Sequence, residues 1–165
     1  RSTSPNAKEF VSSATEKELE EIIRIYGEEY LSGRIAKAIV EARRKNKILT
    51  AKELGDIIAR AVPRKSRIHP ATKTFQALRI YLNKEFENIS SGIEGAWNIL
   101  KPGGRMAVIA YHSLEDRIVK TIFKEKVRMG EGELVFKKIV KPAREEILRN
   151  PRSRSAKLRL LIKRE

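Results

Sequence analysis

The sequence of 165 residues contains no cysteine, two histidines and one tryptophan. The absence of cysteine excludes a disulfide scaffold, a thiolate zinc site and a thiol nucleophile. Two histidines are too few for a multi-histidine metal site, and we predict no metal-binding residues. No apolar run approaches the roughly 18 residues of a membrane-spanning helix, so we do not expect an integral membrane protein.

The beginning of the chain also lacks two features. Residues 1–5 carry no apolar segment of a secretory signal peptide, and the first residue is Arg1 rather than methionine. Together with the absence of thiols, this pattern favours a cytoplasmic protein. It also favours a piece of a longer chain over a natural truncation.

Apolar and charged residues are both plentiful. Hydrophobic residues make up 41% of the sequence and charged residues 35%, which is enough apolar material for a folded core. A chain of this length corresponds to one domain, or to one domain with a small helical insert.

Positive charge is concentrated in one part of the chain. The formal net charge is +15, and residues 30–84 hold fourteen basic and three acidic residues. Such a segment attracts a polyanion and makes binding dependent on salt. We therefore expect a nucleic-acid partner; an acidic membrane surface or an acidic protein is the alternative.

Helical signals dominate the first half of the sequence. Thr15–Glu18 and Thr50–Glu53 have the pattern of capping boxes, and apolar residues follow each of them at helical spacing. A further helix is predicted between them at about 31–45. Two more are predicted at about 72–87 and 90–100, with a basic loop at 64–70.

Strand signals begin after the turn at Pro102–Gly104. Residues 105–111 form a nearly continuous apolar run, which is typical of a strand in a parallel sheet. A helix follows from Ser113, strands are predicted at 134–140 and 156–163, and a helical turn is predicted at 143–149. Three strands make a poor sheet alone, so we predict an α/β fold in which they form one flank of a larger doubly wound sheet.

The segment His112–Asp116 lies where the first predicted strand ends and a helix begins. In open α/β sheets this edge binds ligands, so Ser113 and Asp116 are candidate substrate residues. The alternative is that they only cap the helix. A serine hydrolase relay is excluded, because adjacent residues cannot form it and the Gly-x-Ser-x-Gly motif is absent.

Two further groups are candidates for RNA binding. Arg152, Arg154 and Lys157 alternate with serines near the chain end, a combination that suits phosphate, although a solvated basic loop is the alternative. Lys73 and Arg79 could line a polar face of the helix after His69, and Asn83 shares a face with Arg79.

Several of these segments occur together in the order found in one known family. They are Tyr26–Glu29, His69–Ile80 with Asn83, Pro102–Arg105, His112–Lys120 and Asn150–Arg159. In this order they resemble the bacterial 16S rRNA cytosine-N4 methyltransferases of the H type, the MraW family. The resemblance runs from about Asn6 to the chain end.

The resemblance implies an organisation and an activity. It implies a helical inserted domain at 1–68 that binds RNA, followed at 69–165 by the C-terminal part of a doubly wound S-adenosylmethionine-dependent methyltransferase. The implied cofactor is S-adenosylmethionine. The implied partner is 16S rRNA in the small ribosomal subunit, where a cytosine N4 amine is methylated.

The resemblance also implies what this chain lacks. The N-terminal half of the family carries the principal cofactor contacts, so we expect no cofactor-binding residue here and no activity from this chain alone. His112 is the remaining candidate for a general base, and a structural hydrogen bond at the strand end is its alternative. The rival functions are a non-catalytic basic helical RNA-binding module and a basic protein that only docks on another chain.

Overall fold

In the computed structural model, residues 6–62 and 68–164 are described, and the chain divides into two compact units, 1–85 and 86–165. We call them the helical unit and the sheet unit. The described helices of the helical unit are α1 (Ala7–Ser13), α2 (Glu16–Gly27), α3 (Ser32–Lys45), α4 (Ala51–Ala61) and α5 (Thr72–Leu82). The predicted boundary at residue 68 between an inserted helical domain and the methyltransferase part stays a prediction. Part of the basic loop predicted at 64–70 lies outside the described residues.

Local capping determines where these helices begin. The Thr50 hydroxyl accepts a hydrogen bond from the Glu53 amide at 3.2 Å, and the Glu53 carboxylate accepts one from the Thr50 amide at 3.0 Å. Thr15 and Glu18 make the same reciprocal pair, so both predicted capping boxes are confirmed. Helix α1, which begins after a third capping box at Asn6, was not predicted.

The helical unit is built around α2, which packs against both α3 and α5. Its apolar stripe meets those of its neighbours in a core that includes Leu19, Ile23, Ile35, Ile39 and Ile58. The helices α2 and α5 are in close contact at Gly27. A Cβ atom at that position would lie 2.7 Å from the Lys73 carbonyl oxygen, so glycine is required there.

The sheet unit contains α6 (Glu85–Ile99), which begins at the boundary of the two units. It continues with β1 (Arg105–Ala110), α7 (Ser113–Arg128), β2 (Gly132–Leu134), α8 (Arg144–Arg149), a 3-10 turn (Pro151–Ser155) and β3 (Lys157–Lys163). In the described residues the strand order is β1-β3-β2, and β3 runs antiparallel to both neighbours. The fold is therefore α/β, with β1 and β2 parallel to each other across β3.

The prediction of a parallel pairing for residues 105–111 is wrong for the partner observed here. Residues of β1 pair with β3 from Arg105 opposite Ile162 to Ala110 opposite Lys157, in antiparallel register. Burial also alternates along β1, because Met106 and Ala110 are buried while Ile109 is 56% exposed. An apolar run does not distinguish a strand covered on both faces from one with an open apolar face.

Three predicted elements also have wrong bounds. The helix predicted at 72–87 ends at Leu82, and α6, predicted from 90, already begins at Glu85; Lys84 between them adopts a left-handed conformation with φ of 50°. The strand predicted at 134–140 is reduced to β2 and an isolated bridge at Val140. The amide of Val135 donates to the Leu160 carbonyl, and the amide of Val140 donates to the Leu158 carbonyl. The two donors are five residues apart and the two acceptors only two, so the residues between Val135 and Val140 form a loop.

Trp97 is buried in the core of the sheet unit. It packs with Met106, Val119, Phe123 and Leu161, which join α6, α7 and the sheet. None of the helices in residues 6–62 and 68–164 combines the length and apolar character needed to cross a bilayer.

Candidate nucleic-acid interface

The end of β1 is joined to α7 by a capping box that involves a histidine. Nδ1 of His112 accepts a hydrogen bond from the Glu115 amide at 3.3 Å. The Glu115 carboxylate in turn accepts from the amide of Tyr111 at 2.8 Å and from that of His112 at 3.3 Å. The helix begins at Ser113, and its cap is formed by His112 and Glu115. The interpretation of Ser113 and Asp116 as the capping pair is therefore wrong.

This cap determines the state of the His112 ring. Because Nδ1 accepts a hydrogen bond from an amide, its lone pair is engaged and the neutral ring carries its proton on Nε2. Nε2 lies 3.2 Å from a Glu115 carboxylate oxygen. A general base needs a free lone pair near its substrate, so this geometry favours an orienting role for His112.

Asp116 is paired inside the protein. Its two carboxylate oxygens accept hydrogen bonds from Nε and a terminal nitrogen of Arg159 at 2.7 and 3.1 Å. The Lys157 ammonium lies 3.9 Å from the same carboxylate, whose side chain is 14% exposed. Asp116 therefore joins the beginning of α7 to β3 and positions Lys157.

The basic segment before β3 is folded into a 3-10 turn. The buried Ser153 hydroxyl donates to the Asn150 carbonyl at 2.8 Å, and the Ala156 amide donates to the Ser153 carbonyl at 2.8 Å. These bonds hold the backbone while the side chains of Arg152 and Arg154 remain exposed. The serines of this segment are therefore partly structural.

A cavity of about 380 Å³ lies where these segments meet. Its lining comes from three stretches of the chain: Tyr111, His112, Ser113, Lys141, Arg154, Ser155, Ala156 and Lys157. The structure thus brings together four predicted candidates, His112, Ser113, Arg154 and Lys157. Arg152 and Asp116 are not among the lining residues.

The cavity is positively charged. Among the described residues, neither Lys141 nor Arg154 forms an ion pair, and Lys157 shares Asp116 with the closer Arg159. The N-terminus of α7, whose dipole favours negative charge, begins at Ser113 in the cavity wall. These groups together attract an anion.

Sequence reasoning missed Tyr111 and Lys141. The apolar pattern makes Tyr111 the end of a strand, although the argument from the sheet edge points to the neighbouring residues His112 and Ser113. Lys141 reaches the cavity because Val140 forms a bridge with Leu158 at the start of β3. That pairing spans 18 residues, and no local pattern indicates it.

The candidates in the helical unit are held by the protein's own acceptors. The Lys73 ammonium donates to the Glu28 carbonyl at 2.8 Å, at the carboxyl end of α2. Arg79 donates two hydrogen bonds to Glu85, at 2.9 and 3.1 Å, and Asn83 donates to Glu85 at 3.3 Å. These contacts stabilise the ends of α2 and α5, and a role in binding substrate stays a prediction for all three residues.

Exposed cations cover much of α3, α4 and the segment between them. We call this group the helical basic surface; it consists of Arg34, Lys37, Arg44, Lys45, Lys47, Lys52 and Arg60. Arg43 differs from these, because its guanidinium is partly buried and donates to the Val11 carbonyl at 2.8 Å.

Comparison with known proteins supplies the family. Residues 1–164 match the model of the MraW methylase family. The ribosomal RNA small subunit methyltransferase H of Coprothermobacter proteolyticus is 52% identical over 157 residues, which cover 95% of this chain and 52% of that protein. The enzyme of the same name from Persephonella marina is 51% identical over 163 residues, covering 97% of this chain and 56% of that protein.

A third relative of the same name, from Ehrlichia canis, is 48% identical over 171 residues, covering 98% of this chain and 58% of that protein. The chain therefore spans about half the length of the curated relatives it matches. On the extent of the family match and the level of these identities, this chain belongs to the MraW methylase family.

Proposed function

We propose that this chain is the RNA-binding part of an S-adenosylmethionine-dependent methyltransferase that modifies the N4 amine of a cytosine in small-subunit rRNA. The names of the relatives support a small-subunit rRNA substrate. The observation that carries the proposal is the cationic cavity at the carboxyl end of β1, where ligands bind in open α/β sheets.

The cavity does not fit the methyl donor. S-adenosylmethionine supplies an electrophilic methyl group on a sulfonium and carries a net positive charge, which Lys141, Arg154 and Lys157 would repel. We therefore assign no step of methyl transfer to these residues. We expect the donor to be bound by the half of the protein outside this chain.

The residues of this chain would act by holding the RNA. The exocyclic amine of cytosine is a poor nucleophile, so the reaction depends on orientation, and the target base must leave its stack. Cations of the helical basic surface and of the cavity would bind phosphates and position the strand. His112 and Glu115 would keep the end of β1 rigid beside it.

The unpaired edge of β1 supports the proposal that this chain is part of a larger enzyme. Among the described residues, β1 pairs only with β3, and Ile109 and Tyr111 are more than half exposed. An unpaired apolar edge strand readily accepts another strand. We infer that a strand from the remaining half of the protein pairs with β1 and extends the sheet toward the doubly wound form.

The test is methylation of small-subunit particles isolated from cells that lack this modification. The intact protein that contains this chain is incubated with the particles and S-adenosylmethionine, and nucleosides are analysed by mass spectrometry. We expect N4-methylcytidine, and omission of the donor is the control. Tight, salt-sensitive binding to the particles without any new methylated nucleoside would favour the non-catalytic RNA-binding module.

A further inference from the structure

The cavity at the end of β1 has more specific chemistry than a general basic surface. We propose that it binds one nucleotide of the RNA strand, with the phosphate held by Lys141 and Arg154 and the base lying against Tyr111. This inference rests on the proposed function only in taking RNA as the source of the nucleotide.

Charge is the first argument for a phosphate. Lys141 and Arg154 are held at one cavity with no acidic partner among the described residues, and Lys157 is only partly neutralised. Keeping like charges close together is unfavourable unless an anion joins them. Arg154 presents the planar fork of donors that matches a phosphate group.

Rigidity is the second argument. Lys141 follows a bridge in which Val140 and Leu158 exchange two hydrogen bonds, at 3.1 and 2.9 Å. Arg154 lies in the 3-10 turn that is anchored by buried Ser153. Both cations therefore extend from backbone that is already ordered, which reduces the entropic cost of binding.

Tyr111 is the third argument, because it gives the cavity a surface for a base. Tyr111 is a lining residue of the cavity and is 55% exposed, and its amide donates a hydrogen bond to Glu115. Exposed aromatic rings beside cations are the common means of binding single-stranded nucleic acid. At about 380 Å³ the cavity lies at the small end of ligand sites, so it suits one nucleotide and not a duplex.

The experiment titrates the intact protein, labelled on its backbone amides, with cytidine 5′-monophosphate and follows the amide resonances by NMR. We expect saturable shifts centred on Ser113, Ser155 and Lys157, weakened by added salt. Cytidine without phosphate should bind at least about tenfold more weakly, the equivalent of one charge-assisted hydrogen bond. Inorganic phosphate should compete.

Two sets of variants separate the contributions of phosphate and base. Lys141→Ala combined with Arg154→Ala should weaken binding by about tenfold or more. The matched control is Lys120→Ala with Lys124→Ala, which removes the same charge from exposed positions on α7 outside the cavity. Tyr111→Ala should weaken binding of the nucleotide but not of inorganic phosphate, and Tyr111→Phe should retain both.

Several outcomes would overturn the inference. Equal affinity for cytidine and its monophosphate would show that the cavity does not bind the phosphate. Equal weakening of binding in the two double variants would show that only the overall charge of the protein matters. If S-adenosylmethionine, and not the nucleotide, shifted the amide resonances of the cavity residues, the cavity would be a site for the methyl donor. Failure of the methylation test with nucleotide binding intact would reject the proposed function alone.

Discussion

Trp97 shows how single residues stabilise the sheet unit. The ammonium groups of Lys126 and Lys163 lie 5.6 and 5.5 Å from the centroid of its ring, and its indole N–H donates to Glu131 at 3.2 Å. Lys126 also contacts the carboxylates of Glu94 and Glu131 at 3.1 and 3.2 Å. The indole is therefore flanked by two cations, of which Lys126 is neutralised by Glu94 and Glu131.

The Lys126 cluster predicts a loss of stability at high pH. Burial alone would lower the pKa of Lys126, but hydrogen bonds to Glu94 and Glu131 outweigh it and raise the pKa above the usual value of 10.5. The stabilisation is complete below the unfolded-state pKa and is lost as the pH rises through the folded-state value. Lys126→Met should reduce the free energy of unfolding by about 1 kcal/mol at neutral pH.

Denaturant unfolding between pH 7 and 11.5 measures this effect. The difference between the wild-type protein and Lys126→Met should shrink as the pH passes above 10.5. A difference that stays constant over this range would contradict the assigned role of the ammonium charge.

Gly27 predicts a second effect of a single residue. Gly27→Ala places a methyl group 2.7 Å from the Lys73 carbonyl oxygen, and backbone cannot move aside cheaply. We expect the free energy of unfolding to fall by about 1–3 kcal/mol, as for other overpacked sites. Thermal and denaturant unfolding measure the change.

Gly95→Ala is the matched control, because nothing lies within 4 Å of a Cβ atom at that helical position. It should stabilise the protein by about 0.5–1 kcal/mol. If the two variants changed the free energy of unfolding in the same direction and by the same amount, the close contact between α2 and α5 would not be the cause of the change in Gly27→Ala.

At the scale of elements, helix starts depend on short reciprocal hydrogen bonds. The capping boxes at Asn6, Thr15, Thr50 and His112 each satisfy amides in the first turn of a helix. Because each pairs residues three apart, it requires no tertiary contact. The boxes at Thr15 and Thr50 are the main reason that local pattern located α2 and α4.

The Thr50 cap gives a prediction with a close control. Thr50→Ala removes the acceptor of the Glu53 amide at the start of α4 and should cost about 1 kcal/mol of stability. Thr121→Ala removes a hydroxyl that only donates to the Arg117 carbonyl within α7, and it should be nearly neutral. Equal losses in the two variants would show that the cap contributes nothing specific.

The same cap predicts that the stability of the protein depends on pH in the acidic range. Hydrogen bonds from the amides of Leu49 and Thr50 lower the pKa of Glu53 below 4.5. The stabilisation is present above the unfolded-state pKa and is lost as the pH falls through the folded-state value. Unfolding of Glu53→Gln should therefore vary less than that of the wild type between pH 5 and 2.5, and parallel profiles would refute this.

At the scale of the whole molecule, charge governs the expected interaction with RNA. The net charge of +15 arises from residues 30–165, because residues 1–29 are net negative, and both units expose many cations among the described residues. The logarithm of the association constant for single-stranded RNA should fall linearly with the logarithm of the salt concentration. The slope should be about −0.7 for each phosphate that the protein contacts.

Variants of the helical basic surface measure its share of this slope. Arg34→Gln combined with Lys37→Gln should flatten the slope by about 1.4 in fluorescence anisotropy titrations. Lys8→Gln with Lys17→Gln removes the same charge from the acidic first part of the chain and should leave the slope nearly unchanged. Equal changes would assign binding to net charge alone and not to this surface.

The candidate site was predictable only in part. His112, Ser113, Arg154 and Lys157 were identified because a strand end, a helix start and a run of basic residues are local features, and all four line the cavity. Lys141 was not identified, since its position follows from the bridge between Val140 and Leu158.

The sequence by itself determined the starts of α2, α4 and α7, the α/β class and the family, because these depend on local capping, periodicity and short motifs. The antiparallel insertion of β3 between β1 and β2 and the loop that shortens the second strand were decided by tertiary structure alone. Strand partners and register depend on contacts between residues far apart in sequence, and a periodic pattern specifies which face is apolar but not what lies against it.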